Sequence, residues 1–506
     1  MFDEYKELIE TACTRVYDVA RRTSLDLAPQ LSAAYDNHIR LKREDQQPVF
    51  SYKLRGAYNL MASLTAAEKQ RGVIAASAGN HAQGVALAGQ VLDIPATIVM
   101  PKTTPEIKVS AVRRLGGKVV LHGNNYDDAK EQADTLVAEQ GLVYIPPYDH
   151  PLVIAGQATV AVELLAQHPG VPDYVFVPVG GGGLIAGIAV YLKALHPEIR
   201  IIGVESDEAP SMYRALREGE RVRLEHIGIF VDGAAVRQVG VEPFRLCTEL
   251  VDDMILVNND AICAAVKEIF EDTRTIPEPA GALALAGLKE YAVTHGLHGR
   301  DLVAILSGAN VNFDRLRHIA ELAALGEQRE ALLCITIPER PGSFRALCGD
   351  LGARQITEFN YRYADHTRAR VFAGLQLRHG VEEKEKLLQH LHDKGYEVVD
   401  MSRNEVAKMH IRHMVGGHAS NVQDEVVCRF EFPERSGALL HFLTRLSDRW
   451  NISLFHYRNH GAAYGRVLIG MQVPAAQHTE FQAFVEGLGM DYSDETGNPA
   501  YSLFLG

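Results

Sequence analysis

YVFVPVGGGGLIAGIAVYLKAL, residues 174–195, decides how this chain folds. It opens on an apolar, β-branched run, Tyr174–Val179, with the length of a buried strand, and closes on a helix-patterned run, Gly183–Leu195. Between them stand Gly180, Gly181, Gly182 and Gly183, with Leu184 next. Four glycines in a row cost more conformational entropy than a simple turn requires. Such a loop presents successive backbone N–H groups at a helix N-terminus, where an anion such as a phosphate binds. No Lys-Ser/Thr pair follows, so it is not a P-loop.

Outward from this stretch the same strand-then-helix grammar runs from about residue 70 to 315. Val- and Ile-rich runs recur at Val73–Ala76, Thr97–Met100, Lys118–Leu121, Arg200–Glu205 and Leu302–Ser307, bounded by Gly, Pro or polar residues. Helix patterns such as Pro105–Leu115 follow several of them. This alternation predicts an α/β domain whose parallel sheets are covered on both faces. Ahead of it, Tyr5, Leu8, Ile9, Ala12, Val16 and Val19 predict an amphipathic helix over 3–22.

At 506 residues the chain has room for several domains. With 47% hydrophobic and 23% charged residues it is globular, not disordered. Its 51 Lys and Arg stand against 64 Asp and Glu, a net charge of −13, with no basic run. That lacks the footprint of a nucleic-acid or anionic-membrane binder. No apolar stretch reaches the roughly 18 residues a membrane span needs. The start, MFDEYKELIE, lacks the apolar core of a signal peptide. Six cysteines, at 13, 247, 263, 334, 348 and 428, include no CxxC pair, so no iron–sulfur or zinc site is expected. Scattered free thiols suit a reducing, cytoplasmic setting.

Past about residue 325 an internal repeat appears. ITIPERPG at 335–342 answers to FEFPERSG at 430–437. Phe359-Asn360-Tyr361-Arg362 answers to Phe455-His456-Tyr457-Arg458, and Gly374-Leu375-Gln376 to Gly470-Met471-Gln472, both offset by 96. Each copy reads strand, helix, strand, strand, helix, strand, the βαββαβ order of a ferredoxin-like unit. The polar stretch 403–424, with Gly416-Gly417, reads as a linker. His410, His413 and His418 have metal-like spacing there, but without acids around them they read as a solvated loop. Trp450 reads as packing at the end of an amphipathic helix.

Three more motifs carry possible chemistry. Ser51-Tyr52-Lys53-Leu54-Arg55-Gly56-Ala57 holds a lysine after a short strand. Ser77-Ala78-Gly79-Asn80-His81-Ala82-Gln83-Gly84 follows a strand and opens a helix, a place that favours a carboxylate. Leu306-Ser307-Gly308-Ala309-Asn310 ends a strand, where a hydroxyl can meet a heterocycle nitrogen. A rival reading exists: Gly181-x-Gly183-x-x-Ala186, with Glu205 ending the next strand, matches a dinucleotide fingerprint. It has no use for the other three motifs. A catalytically dead amino-acid sensor also stays open at this level.

Taken together, SYKLRGA, SAGNHAQG, GGGGL and SGAN resemble the fold-type II pyridoxal-phosphate enzymes, and the serine/threonine dehydratases in particular. With the duplicated C-terminal module the chain resembles the biosynthetic threonine deaminases (threonine ammonia-lyases) over nearly its whole length. The resemblance implies a tryptophan-synthase-β-like catalytic domain over 1–325, with a smaller lobe at about 45–150. It implies two ACT-like regulatory subdomains, at 326–402 and 425–506. Lys53 would hold pyridoxal 5'-phosphate as a Schiff base and act as the base. Asn80 would touch the ring's phenolic oxygen, and Gly180, Gly181, Gly182, Gly183 and Leu184 would cradle the phosphate. Ser307 would meet the pyridine nitrogen. Ser77, Ala78, Gly79, Asn80 and His81 would seat the substrate carboxylate. Tyr361 and Tyr457 are the candidate effector residues.

The implied reaction is dehydration of L-threonine to 2-oxobutanoate and ammonia, inhibited by isoleucine with valine opposing, in a homotetramer. A dehydratase of broader serine/threonine specificity is the alternative within the family. Ala78 stands where the related serine racemases carry a second basic serine, which favours dehydration over racemisation. Ser211 stands near a carboxylate of the divalent-metal site of some relatives, so that site is not expected here.

Overall fold

Tyr174–Pro178 forms a strand and Gly183–Leu195 a helix, with the glycine loop between them. The structure is a computed structural model that describes residues 2–338, 343–352, 354, 356–361, 367–413, 422–433, 449–458 and 464–505. The chain divides into two units, Met1–Ala323 and Ala324–Gly506.

The strands of the first unit are β1 (Leu25–Leu27), β2 (His38–Arg43), β3 (Val73–Ala76), β4 (Ala96–Met100), β5 (Lys118–Leu121), β6 (Val143–Tyr144), β7 (Tyr174–Pro178), β8 (Arg200–Ser206), β9 (Asp253–Val257) and β10 (Asp301–Leu306). They make two sheets, ordered β1-β2-β10-β7-β8-β9 and β5-β4-β3-β6. Only the β1–β2 pairing is antiparallel among these described strands. Parallel neighbours need crossover helices, which cover both faces and account for the continuous apolar runs. The N-terminal helix is shorter than its pattern: Phe2–Arg15 is α-helical and Val16–Asp18 a 3-10 turn. Tyr5, Ile9, Ala12 and Val16 still pack into the larger sheet's core.

The helix Lys53–Ala62 is the joint between the two lobes. Ala57, Tyr58, Leu60 and Met61 lie in the smaller lobe's core. Its backbone is clamped by two other helices, Asn80–Leu92 and Pro151–Gln167, at glycines. A methyl at Gly84 would sit 3.2 Å from Leu54 Cα, and one at Gly156 only 2.7 Å from Gly56 Cα. The first turn of the same helix carries Arg55, fully buried with Glu44, Glu163 and Lys42. Arg55 donates to both Glu44 oxygens at 2.7 and 2.8 Å and to Glu163 Oε1 at 2.7 Å, while Lys42 Nζ lies 2.6 Å from Glu163 Oε2. Two cations and two anions cancel, the condition under which buried charges are tolerated. Burial alone would raise the Glu44 carboxyl, but Arg55 and Lys42 hold it below the usual carboxylate range.

The second unit holds two sheets of one design. The first copy has β11 (Glu330–Pro338), β12 (Ile356–Tyr361), β13 (Arg368–Gln376) and β14 (Glu397–Asp400), ordered β12-β13-β11-β14. The second has β15 (Glu425–Pro433), β16 (Asn451–Arg458), β17 (Tyr464–Gln472) and β18 (Tyr492–Asp494), ordered β16-β17-β15-β18. Both are antiparallel with the ferredoxin-like order. Trp450 packs edge-on against Phe481 at 5.2 Å, as its pattern implies.

The solvated-loop reading of His410 is wrong. Asn404 caps a short helix, Glu405–Met409, in which Val406 and Ala407 are buried; His410 beyond it is 1% exposed. His410 Nδ1 lies 2.6 Å from His456 Nδ1 on β16, and Arg412 pairs with Glu330 on β11 at 3.1 Å. A polar composition misled here because His410 and Arg412 are buried against partners in the two copies. His418 and the His413 side chain lie outside the described residues.

A second short helix, Pro499–Phe504, follows the second copy and packs on the first. Phe504 meets Phe372 of β13 edge-on at 5.4 Å, and Arg370 donates to the Leu503 carbonyl at 3.1 Å. The exchange is reciprocal. Arg466, 96 residues after Arg370, reaches Glu405 of the first copy's helix at 3.6 Å. The two capping asparagines meet, Asn404 Nδ2 donating to Asn498 Oδ1 at 3.1 Å.

Candidate active site

The four motifs converge where the joint helix starts. Ser51 bridges to Gly308, and the Tyr52 amide donates to the Ser307 carbonyl at 3.3 Å, so SYKLRGA and SGAN are stitched together. Lys53 is half-buried. Its amine donates to the Pro147 carbonyl at 3.0 Å and lies 5.2 Å from the Tyr52 ring centre and 5.9 Å from that of Tyr148. Burial pulls the ammonium from 10.5 down to about 8, as desolvation does to any lysine.

Tyr148 also carries the glycine loop. A methyl at Gly181 would collide with its ring, and one at Gly183 would come within 2.9 Å of its Cβ. Gly180 lies against Ala234, 2.7 Å from a methyl to the Ala234 carbonyl. Gly182 adopts φ +91°, and a methyl there would lie 2.5 Å from Met212 Cε. No side chain fits at any of the four, and the loop leads straight into the helix Gly183–Leu195, whose first N–H groups lack intrahelical partners. Leu184 is buried behind the loop. A bare-backbone cradle at a helix start, next to a neutralisable amine, is the donor set that a phosphorylated aldehyde needs, so the residues present fit pyridoxal phosphate.

Asn80 opens the helix Asn80–Leu92. Its Nδ2 donates to Glu278 Oε1 at 2.5 Å and its Oδ1 accepts from Asn310 Nδ2 at 2.7 Å. Ser307 is 4% exposed, and its hydroxyl donates to the Ala280 carbonyl at 3.2 Å, a bond the rotor can exchange for another partner. Ser77 Oγ accepts from the Gly79 amide at 3.3 Å. Ala78 and Gly79 are half-exposed, and a methyl at Gly79 would meet nothing within 4 Å. His81 differs from the expectation. It is buried, and its ring Nε2 donates to the Ile145 carbonyl at 2.8 Å. Burial first, then the Lys53 charge, pushes it down to about 3. The ring is therefore neutral and committed to the small lobe, and only its backbone N–H is left for a carboxylate.

Glu205 settles the dinucleotide reading. It is fully buried, accepting from the Met212 and Tyr213 amides at 2.8 Å each and from Ser211 Oγ at 3.2 Å. It closes the start of the helix Ser211–Glu218 and presents nothing to a ribose.

Two site residues escaped sequence reasoning. Asn310 stood inside a quoted motif without a role. Glu278 lies in TIPEPAGA, between two prolines at a helix start; an acid in so apolar a setting was the available signal.

Comparison with known proteins identifies the family. Residues 16–308 match the family of pyridoxal-phosphate dependent enzymes, and 321–411 with 416–505 match the C-terminal regulatory domain of threonine dehydratase. The chain is 54% identical to the biosynthetic L-threonine dehydratase of Escherichia coli K12, over 97% of this chain and 95% of that one. The chain belongs to the biosynthetic threonine dehydratases. The enzyme is also 50% identical to the mitochondrial threonine dehydratase of Saccharomyces cerevisiae, over 97% of this chain and 87% of that one. Its fold is similar to that of the processed threonine deaminase isoform 2 of Solanum lycopersicum, at TM-score 0.62 and 49% identity, covering 64% of this chain and 89% of that one. The enzyme is thus a pyridoxal-phosphate-dependent lyase with a C-terminal regulatory domain in the same chain. Tyr361 and Tyr457 occupy matching strand positions, opposite Val371 and Val467. Their side chains lie outside the described residues. Among the described residues no helix is long and apolar enough to cross a membrane.

Proposed function

We propose that Lys53 is the residue on which the dehydration of L-threonine to 2-oxobutanoate and ammonia turns. The observation that carries this is its amine, drawn down to about 8 by burial and set beside the Tyr148 ring that supports the glycine loop. An amine near neutrality gives up and regains a proton at working pH. In this reading Lys53 anchors the cofactor and then removes the α-proton of the bound amino acid. Pyridoxal phosphate, when bound, supplies the electron sink for that proton's loss.

The other roles follow from what each group offers. The backbone of Gly180, Gly181, Gly182, Gly183 and Leu184 holds the phosphate. Asn80 donates to the ring oxygen, and Ser307 meets the ring nitrogen with a neutral hydroxyl. The amides at Ser77 to His81 take the substrate carboxylate, next to the open space at Gly79. Isoleucine, opposed by valine, acts through the second unit, with Tyr361 and Tyr457 as the candidate effector residues. A cytoplasmic homotetramer is the assembly this reading expects.

Lys53→Ala tests the reading. Turnover should fall to nothing measurable, and borohydride should no longer fix cofactor to the chain. More than a few per cent of parental activity in this variant overturns the assignment.

A further inference from the structure

The amide of Asn80 has its polarity fixed from both ends. At one end the Val49 carbonyl accepts from Asn310 Nδ2 at 2.8 Å, and the same nitrogen gives a hydrogen to Asn80 Oδ1 at 2.7 Å. Both hydrogens of the Asn310 amide are thereby used. At the other end Asn80 Nδ2 donates to Glu278 Oε1 at 2.5 Å. A backbone carbonyl accepts and never donates, so Val49 fixes the Asn310 nitrogen and, through it, the Asn80 oxygen; the ionised form of Glu278 accepts at the other end. The nitrogen of Asn80 must therefore face Glu278 and its oxygen must face Asn310. One N–H of Asn80 is left over, and its acceptor is already engaged.

Glu278 is held where it can do this. It is 5% exposed, its amide donates to the Gly308 carbonyl at 3.2 Å, and Pro279 starts the helix behind it. A methyl at Gly308 would lie 2.6 Å from Oε1, which accounts for a glycine next to Ser307. Among the described residues no cation touches Glu278: Lys108 and Arg315 instead bind Asp232, at 2.5 and 3.3 Å. Burial, then the charge of Asp232, pushes the Glu278 carboxyl up to about 7, with the Asn80 bond opposing. A buried carboxylate without an ion partner is costly, so its retention beside Asn80 calls for a reason.

We propose that Glu278 and Asn310 are positioning residues that make Asn80 a donor only, so that the cofactor's ring oxygen is held as an acceptor, in its deprotonated form. The proposal rests on the cofactor reading of Asn80 given above. It separates the two ends of the ring: the nitrogen meets a hydroxyl that can turn, and the oxygen meets an amide that cannot.

The test reads the ring oxygen directly, through the ratio of long- to short-wavelength absorbance of cofactor bound to the full-length enzyme. Glu278→Leu removes one of the two restraints on the Asn80 amide, the acceptor that draws its nitrogen. Its ratio at neutral pH should fall roughly tenfold, equivalent to about 1.4 kcal/mol, with cofactor per chain at the parental level. Glu278→Gln keeps an acceptor in place and should stay within about twofold of the parent, a rescue that loss of packing alone does not give. A parental ratio in Glu278→Leu overturns the proposal. Should that variant not fold by circular dichroism, Asn310→Leu releases the same amide from its other end and carries the same expectation. A parental ratio there overturns the proposal equally. An unmodified enzyme without any cofactor band would overturn the cofactor reading itself, and the proposal with it.

Discussion

With its ammonium drawn from 10.5 to about 8, Lys53 is a group whose charge can be followed. In cofactor-free protein its amine should react with an acylating reagent in step with deprotonation. Labelling of Lys53, mapped by peptide mass spectrometry, should rise through a midpoint near 8 as pH increases. A midpoint near that of an ordinary surface lysine would mean that the amine is not desolvated. Lys53, Asn80 and Ser307 were legible in the sequence because each sits in a short motif beside a strand or helix end. Glu278 was not, since it is 198 residues from Asn80 in the chain and only the fold brings them together. His81 was legible as a member of the loop but not in its role. Which way a side chain turns at a helix start is set by the small lobe's packing, which no local pattern records.

Two glycines of the quoted motifs separate packing from chemistry. A methyl at Gly56 would meet Val153 Cγ1 and the Val153 carbonyl at 2.8 Å each. Gly56→Ala should therefore force apart the helices Lys53–Ala62 and Pro151–Gln167, costing about 1–3 kcal/mol as overpacking does, read in denaturant melts. Gly79→Ala meets nothing and has a negative φ. It should melt like the parent yet raise KM for threonine several-fold, because the methyl enters the space proposed for the carboxylate. Equal effects of the two on stability would sink that distinction. Arg55 belongs to the packing side as well. Arg55→Met takes the ion partner from Glu44 and leaves Glu163 only Lys42, and should cost about 3–5 kcal/mol. The six strands read in the catalytic unit match almost to the residue because each is an apolar run with polar ends, whereas β1 and β6, too short for that pattern, β2, too polar for it, and β9 were not read. The N-terminal helix was overdrawn because Val16 and Val19 keep the helical spacing after the backbone has tightened into a 3-10 turn.

At the scale of the whole molecule the repeat was legible and the bond between its copies was not. The 96-residue offset announced two units of the same fold. Nothing in either copy announced that each ends in a helix lying on the other, because those contacts join residues about 60 to 130 apart that share no pattern. The exchange predicts that the copies do not unfold independently. Phe504 is the sharpest probe: it belongs to the second copy's helix, yet its ring packs on Phe372 in β13 of the first. Phe504 is 8% exposed, so truncation to alanine should cost about 3 kcal/mol, the lower end for a buried phenylalanine. The loss should be felt in the first copy. Hydrogen exchange of Arg368–Gln376 should quicken in Phe504→Ala together with that of Pro499–Phe504, since a strand is protected only as well as the surface covering it. Because a regulatory signal must bias two global states, the same variant should also weaken the response to isoleucine while leaving uninhibited turnover at the parental rate. If exchange quickens in the C-terminal helix alone, the copies are merely adjacent and the exchanged helices do not couple them.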